Sequence, residues 1–88
     1  MRELISSGSF NKKLGEFLSN HPELQIKTKR TLELLAKDVF YPLLKTHKLS
    51  GTLKIFYSAN INYQYRIYFL FDKESVILVN IGSHDEVY

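Results

Sequence analysis

Cysteine and tryptophan are absent from this 88-residue chain, and proline, glycine and methionine number only two, four and one. Without cysteine there is no disulfide scaffold, no thiolate metal site and no thiol nucleophile. The three histidines lie far apart in sequence, so a zinc site would need carboxylates to complete it. The longest uninterrupted apolar run, Ile67 to Phe71, falls far short of the roughly 18 residues that suggest a membrane span. The opening residues, Met1 to Ser6, contain no apolar signal core. These absences lead to the expectation of a soluble, cytoplasmic protein.

What is present is enough for one small core. Hydrophobic residues make up 44% of the chain and aromatics 14%, while charged residues are 24%, close to an average globular protein. At about 100–200 residues per domain, residues 1–88 form a single domain. The net charge of +3 is unevenly placed. Residues 1–54 hold ten Lys/Arg and five Asp/Glu, whereas residues 55–88 hold two and four. A basic front half suits a polyanionic partner, although many small proteins carry a mild positive excess and bind none.

Hydrophobic spacing predicts two helices followed by a sheet. Residues 2–5 read as a short first strand, and Ser7-Gly8-Ser9 as a helix start. Phe10, Leu14, Phe17 and Leu18 then recur at helical spacing. Asn20-His21-Pro22-Glu23 ends this helix and begins another, because proline suits a first helical turn. Leu24, Thr28, Leu32, Leu35 and Val39 continue at helical spacing, flanked by Lys27, Lys29, Arg30 and Lys37. Tyr41-Pro42 is the expected stop.

After Gly51 the period becomes two. Leu53, Ile55 and Tyr57, then Tyr63 to Phe71, then Ile77, Val79 and Ile81 read as three strands joined by short links. The fold class expected is α+β, with two N-terminal helices packed on a twisted antiparallel sheet. Alternation assigns Ile67, Phe69, Phe71, Ile77, Val79 and Ile81 to the helix-facing side. The opposite side then carries Lys54, Ser58, Gln64, Arg66 and Asn80. Arg66 stands out, because a guanidinium near the middle of an aromatic strand needs a partner. That partner is either an ion pair or water, or else a phosphate, which the planar fork of arginine suits.

Three segments carry a resemblance. Leu44-Lys45-Thr46-His47-Lys48-Leu49-Ser50-Gly51, Tyr65-Arg66-Ile67-Tyr68-Phe69 and Ile81-Gly82-Ser83-His84-Asp85-Glu86-Val87-Tyr88 together resemble the RelE/ParE toxin superfamily, in particular its YafQ-like branch of ribosome-dependent mRNA endonucleases. The resemblance covers nearly the whole chain and implies the fold just described. It further implies a toxin that acts on mRNA in the ribosomal A site, is neutralised by a cognate antitoxin and needs no metal or cofactor; a monomer when free is the default expectation. The 2′-hydroxyl of one ribose attacks the adjacent phosphate, leaving a 2′,3′-cyclic phosphate and a 5′-hydroxyl.

That chemistry requires a base, an acid and positive charge on the phosphorane. Histidine, with an ordinary pKa of about 6.5, suits the first two tasks, and Arg or Lys the third. The resemblance assigns His84 as general acid, His47 as general base and Arg66 as the phosphate-binding arginine. It places Lys48, Lys54, Tyr65 and Tyr88 against the substrate, with Tyr88 holding or stacking it. Taken alone, His47 sits in a polar loop where a histidine is usually just solvated, His21 looks like a helix-start residue, and Tyr88 is a chain end. The chain also departs from the branch pattern. Asn60 stands where a histidine is common and Gln64 where an acid is common, and neither side chain can act as a base. Two rival functions follow: a ParE-like inhibitor of DNA gyrase, which needs neither histidine, and a degenerate toxin that only binds antitoxin.

Overall fold

The computed structural model describes residues 1–49 and 56–83. Its elements run in the order β1 (Glu3–Ser6), α1 (Gly8–Asn20), α2 (Gln25–Lys37), β2 (His47–Lys48), β3 (Tyr57–Asn60), β4 (Tyr65–Phe71) and β5 (Ser75–Ser83). Short 3-10 turns at Pro22–Leu24 and Pro42–Leu44 precede α2 and β2. The five described strands form one sheet in the order β1-β5-β4-β3-β2. All neighbours are antiparallel except β1, which runs parallel to β5 at one edge. The chain enters the sheet through β1, crosses both helices and returns, so the first strand departs from the all-antiparallel expectation.

Local chemistry explains the helix ends. The Ser7 hydroxyl accepts the Phe10 N–H at 3.1 Å and caps α1. Pro22 opens the turn before α2, as expected. At its far end α2 stops at Lys37, short of Tyr41-Pro42. Asp38 is the cause: it adopts an extended backbone, and its carboxylate accepts the Phe40 N–H at 3.0 Å. A short polar side chain that bonds local backbone competes with helix continuation.

The core lies between the helices and one face of the sheet. Phe10 and Phe17 of α1 and Leu35 of α2 pack against Ala59, Ile67, Phe69, Val76, Leu78 and Ile81. The expected inward set is therefore right for Ile67, Phe69 and Ile81 and wrong for Ile77 and Val79, which are 39% and 36% exposed. A bulge is responsible. Tyr68 pairs with Asn80, but the next residue, Phe69, pairs with Leu78, so Val79 is the extra residue and the alternation slips by one. Val76 and Leu78 face the core instead.

The β4–β5 turn is tied by Asp72, whose carboxylate accepts the Glu74 N–H at 2.9 Å and the Ser75 N–H at 2.8 Å. Those two donors, first Glu74 and then Ser75, hold the Asp72 carboxyl below its ordinary value of 3.8, with the charge of Arg2 adding to them. A depressed folded pKa contributes stability above the unfolded value and loses it as pH falls through the folded one. Asp72→Ala should therefore lower the Tm at neutral pH, and the gap from wild type should close below about pH 4. Thermal melts followed by circular dichroism across pH 2.5–7 check this.

Candidate active site

The expected site residues fall into three groups. His47 and Arg66 lie on the sheet face turned away from the helices. The cross-strand pairs carry this through: His47 pairs with Ser58, and two residues on, Asn60 pairs with Arg66. Paired residues share a face, and so do residues two apart along a strand. Strand spacing and rise put the Cα atoms of His47 and Arg66 roughly 10–12 Å apart, within reach of one phosphodiester for two long side chains. Lys48 and Tyr65 form the second group. Lys48 pairs with Tyr57 on the core side, and Tyr65 points toward α1. His84, Tyr88 and Lys54 form the third group and lie outside the described residues, as do Asp85 and Glu86.

Arg66 is half-buried, and its partner is an amide. Its Nε–H donates to Asn60 Oδ1 at 3.2 Å. Among the described residues no carboxylate engages it, and neither terminal NH2 group makes a hydrogen bond. One donor fixes the plane of the guanidinium, and the remaining fork is available for a planar or tetrahedral anion. Asn60, the departure that removes a base from the branch pattern, thus acquires a positioning role. Sequence reasoning missed it, because only the β3–β4 register puts residues 60 and 66 side by side.

His47 sits on β2, the edge strand, rather than in an unpaired loop. Its ring is exposed and oriented chiefly from the Nδ1 side. Nδ1 lies 3.1 Å from the Lys45 carbonyl oxygen. A carbonyl can only accept, so the neutral ring carries its proton on Nδ1 and its lone pair on Nε2. Ser58 Oγ lies 3.5 Å from Nε2, at the outer limit of a hydrogen bond, and holds the lone pair only weakly. Lys45 takes a left-handed backbone (φ 48°), which turns its carbonyl toward the ring. The arrangement is that of an imidazole ready to take up a proton at Nε2.

Tyr65, by contrast, is engaged elsewhere. The His21 ring stacks on Phe17 at 4.5 Å, its Nδ1 donates to the Phe17 carbonyl at 2.9 Å, and its Nε2 accepts the Tyr65 hydroxyl at 3.0 Å. This aromatic clasp ties the end of α1 to the start of β4, on the opposite face from Arg66. His21 thus does more than start a helix, and the structure does not bring Tyr65 to the other site residues. Among the described residues no cluster of three His, Cys, Asp or Glu side chains could hold a metal ion.

No family model and no curated protein sequence matches the chain. Solved structures do. The toxin YafQ of Escherichia coli strain BL21(DE3) superposes with a TM-score of 0.82 at 17% identity, over 100% of this chain and 99% of that one. A copper-bound variant of a toxin from Helicobacter pylori gives 0.77 at 27% identity, with both chains covered completely. YafQ in its complex with DinJ gives 0.80 at 18% identity, over 99% of this chain and 97% of that one. The chain has the fold of the RelE/ParE toxins. Its likeness to YafQ extends over nearly the full length of both chains and agrees with the α+β architecture expected from the sequence.

Proposed function

We propose that the protein is the toxin of a type II toxin–antitoxin system, an endoribonuclease that cuts mRNA in the ribosomal A site without a metal. The observation that carries this reading is the shared face: an arginine whose two NH2 groups make no hydrogen bond among the described residues, and a histidine whose Nε2 lone pair is turned outward by the bond at Nδ1. A gyrase inhibitor has no use for such a pair.

The chemistry proceeds in one displacement. His47 Nε2 takes the proton from a ribose 2′-hydroxyl as that oxygen attacks the neighbouring phosphorus. Arg66 holds the non-bridging oxygens as charge builds on the phosphorane, where fixed donors stabilise the transition state most. His84 gives its proton to the departing 5′-oxygen. It follows Ser83 directly in the chain, two residues beyond Gly82, the β5 partner of Arg66. The P–O5′ bond breaks, and a 2′,3′-cyclic phosphate and a 5′-hydroxyl result. Lys48, Lys54 and Tyr88 are proposed to hold the RNA. Tyr65 supports the β4 strand from behind. The ribosome orients the mRNA, the protein works in the cytoplasm, and a cognate antitoxin neutralises it, as DinJ pairs with YafQ.

The test is a bacterial in vitro translation reaction with the purified protein, mapping mRNA 5′ ends by primer extension. Cuts within translated codons that vanish without ribosomes and with His84→Ala support the reading. Absence of cleavage by a folded protein sinks it, and a supercoiling assay with gyrase then tests the rival.

A further inference from the structure

Between α2 and the β3–β4 turn lies a pocket of about 330 Å³ that the chemistry above does not use. We propose that it holds a nucleotide of the RNA strand adjacent to the one that is cut, an inference that rests on the nuclease reading. Its volume falls at the small end of ligand sites, which run from about 300 to 1,000 Å³. Three cations, Lys27, Arg30 and Lys45, line it together with Leu34 and Leu43, and among the described residues no carboxylate does. Lys27 and Arg30 stand three residues apart on α2 and so share a face.

Tyr63 supplies the rim. Tyr63 is 87% exposed, which leaves its side chain open to a partner. The turn that carries it is not loose. Asn62 Oδ1 accepts the N–H groups of Gln64 at 2.9 Å and Tyr65 at 2.8 Å, and the Ile61 N–H donates to the Tyr65 carbonyl at 2.9 Å. An exposed aromatic ring on an ordered turn, beside a pocket with apolar and cationic lining, matches a base with its phosphate. Stacking provides the base contact, and the cations take the charge.

The pocket also communicates with the catalytic groups. Asn60 lines it and holds Arg66 through Oδ1. Lys45 lines it and holds His47 through its carbonyl. Asn60 and Lys45 thus border both the pocket on the α2 side and the catalytic groups on the opposite face, and a strand whose scissile phosphate sits on Arg66 passes this edge to place a neighbouring nucleotide in the pocket. An acidic protein segment is the rival occupant, and it has no need of the Tyr63 ring.

The experiment is a titration of the full-length, 15N-labelled protein at low salt, followed by NMR. The probes are a trideoxynucleotide, which lacks the attacking hydroxyl, inorganic phosphate, and an oligoglutamate peptide. The trideoxynucleotide should shift the amides of Thr31, Leu34, Asn62 and Tyr63, and Tyr63→Ala should weaken it by about tenfold or more. Lys27→Gln/Arg30→Gln should weaken it too and reduce its salt dependence. In the translation assay the same variants should lower kcat/KM through KM. If phosphate alone reproduces the shift pattern and Tyr63→Ala binds like wild type, no base is held and the proposal fails. Displacement of the trideoxynucleotide by oligoglutamate at lower concentration overturns it in favour of an acidic protein partner. If the wild type cleaves mRNA while these amides stay still, the pocket proposal falls and the nuclease reading stands. If the wild type does not cleave yet the trideoxynucleotide fills the pocket, the nuclease reading falls and the nucleotide site stands.

Discussion

His47→Gln is expected to slow mRNA cleavage on translating ribosomes by about 10²–10⁴-fold, the usual contribution of a positioned general base. Glutamine preserves a side chain of similar reach with a donor and an acceptor, but it cannot take up a proton. The loss should fall on the chemical step, so single-turnover cleavage is the measurement. Ser58→Ala, by contrast, should change the rate little, because Ser58 Oγ lies 3.5 Å from Nε2 and contributes little to orienting it. A His47→Gln rate within threefold of wild type would remove His47 from the mechanism and leave Arg66 and His84 as its carriers.

How much of this was legible in the sequence depends on whether the information was local. The Ser7 cap, the Phe10–Leu18 stripe and the β4 alternation all depend on neighbours within a few residues, and all are found as expected. Alternation alone also sends Arg66 to the face opposite Ile67, because successive side chains on a strand point to opposite sides. The misassignments come from features that only pairing reveals. The extra residue at Val79 is defined by β4, so nothing in Ile77-Leu78-Val79 itself signals the slip. β1 runs parallel to the last strand, a pairing between residues far apart in sequence that no local pattern signals. β2 is two residues long and exists only because His47 and Lys48 meet Ser58 and Tyr57.

The same distinction separates the site residues. His47 and Arg66 are chemically conspicuous, and a motif could place both. The partners that prepare them are a carbonyl at Lys45 and an amide at Asn60, and neither residue type advertises such a role. The resemblance places Tyr65 against the substrate, next to Arg66 in sequence. Adjacency on a strand means the opposite face, and the His21 clasp occupies it there.

Arg66→Gln should be nearly as damaging as loss of the base, at about 10²–10³-fold in kcat, the cost of removing a preorganised donor from a charged transition state. More informative is the graded series through its support. Arg66→Lys keeps the charge but loses the fork, and its ammonium cannot both reach Asn60 and grip two phosphate oxygens. It should recover only part of the lost rate. Asn60→Ala keeps Arg66 itself and removes the acceptor at 3.2 Å that fixes its plane. A guanidinium freed to rotate still binds phosphate, so Asn60→Ala should lower kcat by about tenfold while leaving KM nearly unchanged. Asn60→Asp tests the sign of the support. A carboxylate there would pair with Arg66 and draw its charge away from the phosphate, so it should be worse than alanine although it restores an acceptor. If alanine and aspartate are equally mild, Asn60 does not position Arg66, and the uncommitted NH2 groups are not aimed at substrate by this contact. If aspartate is the more damaging of the two, the amide at position 60 is the feature that leaves the charge of Arg66 undiminished for the scissile phosphate.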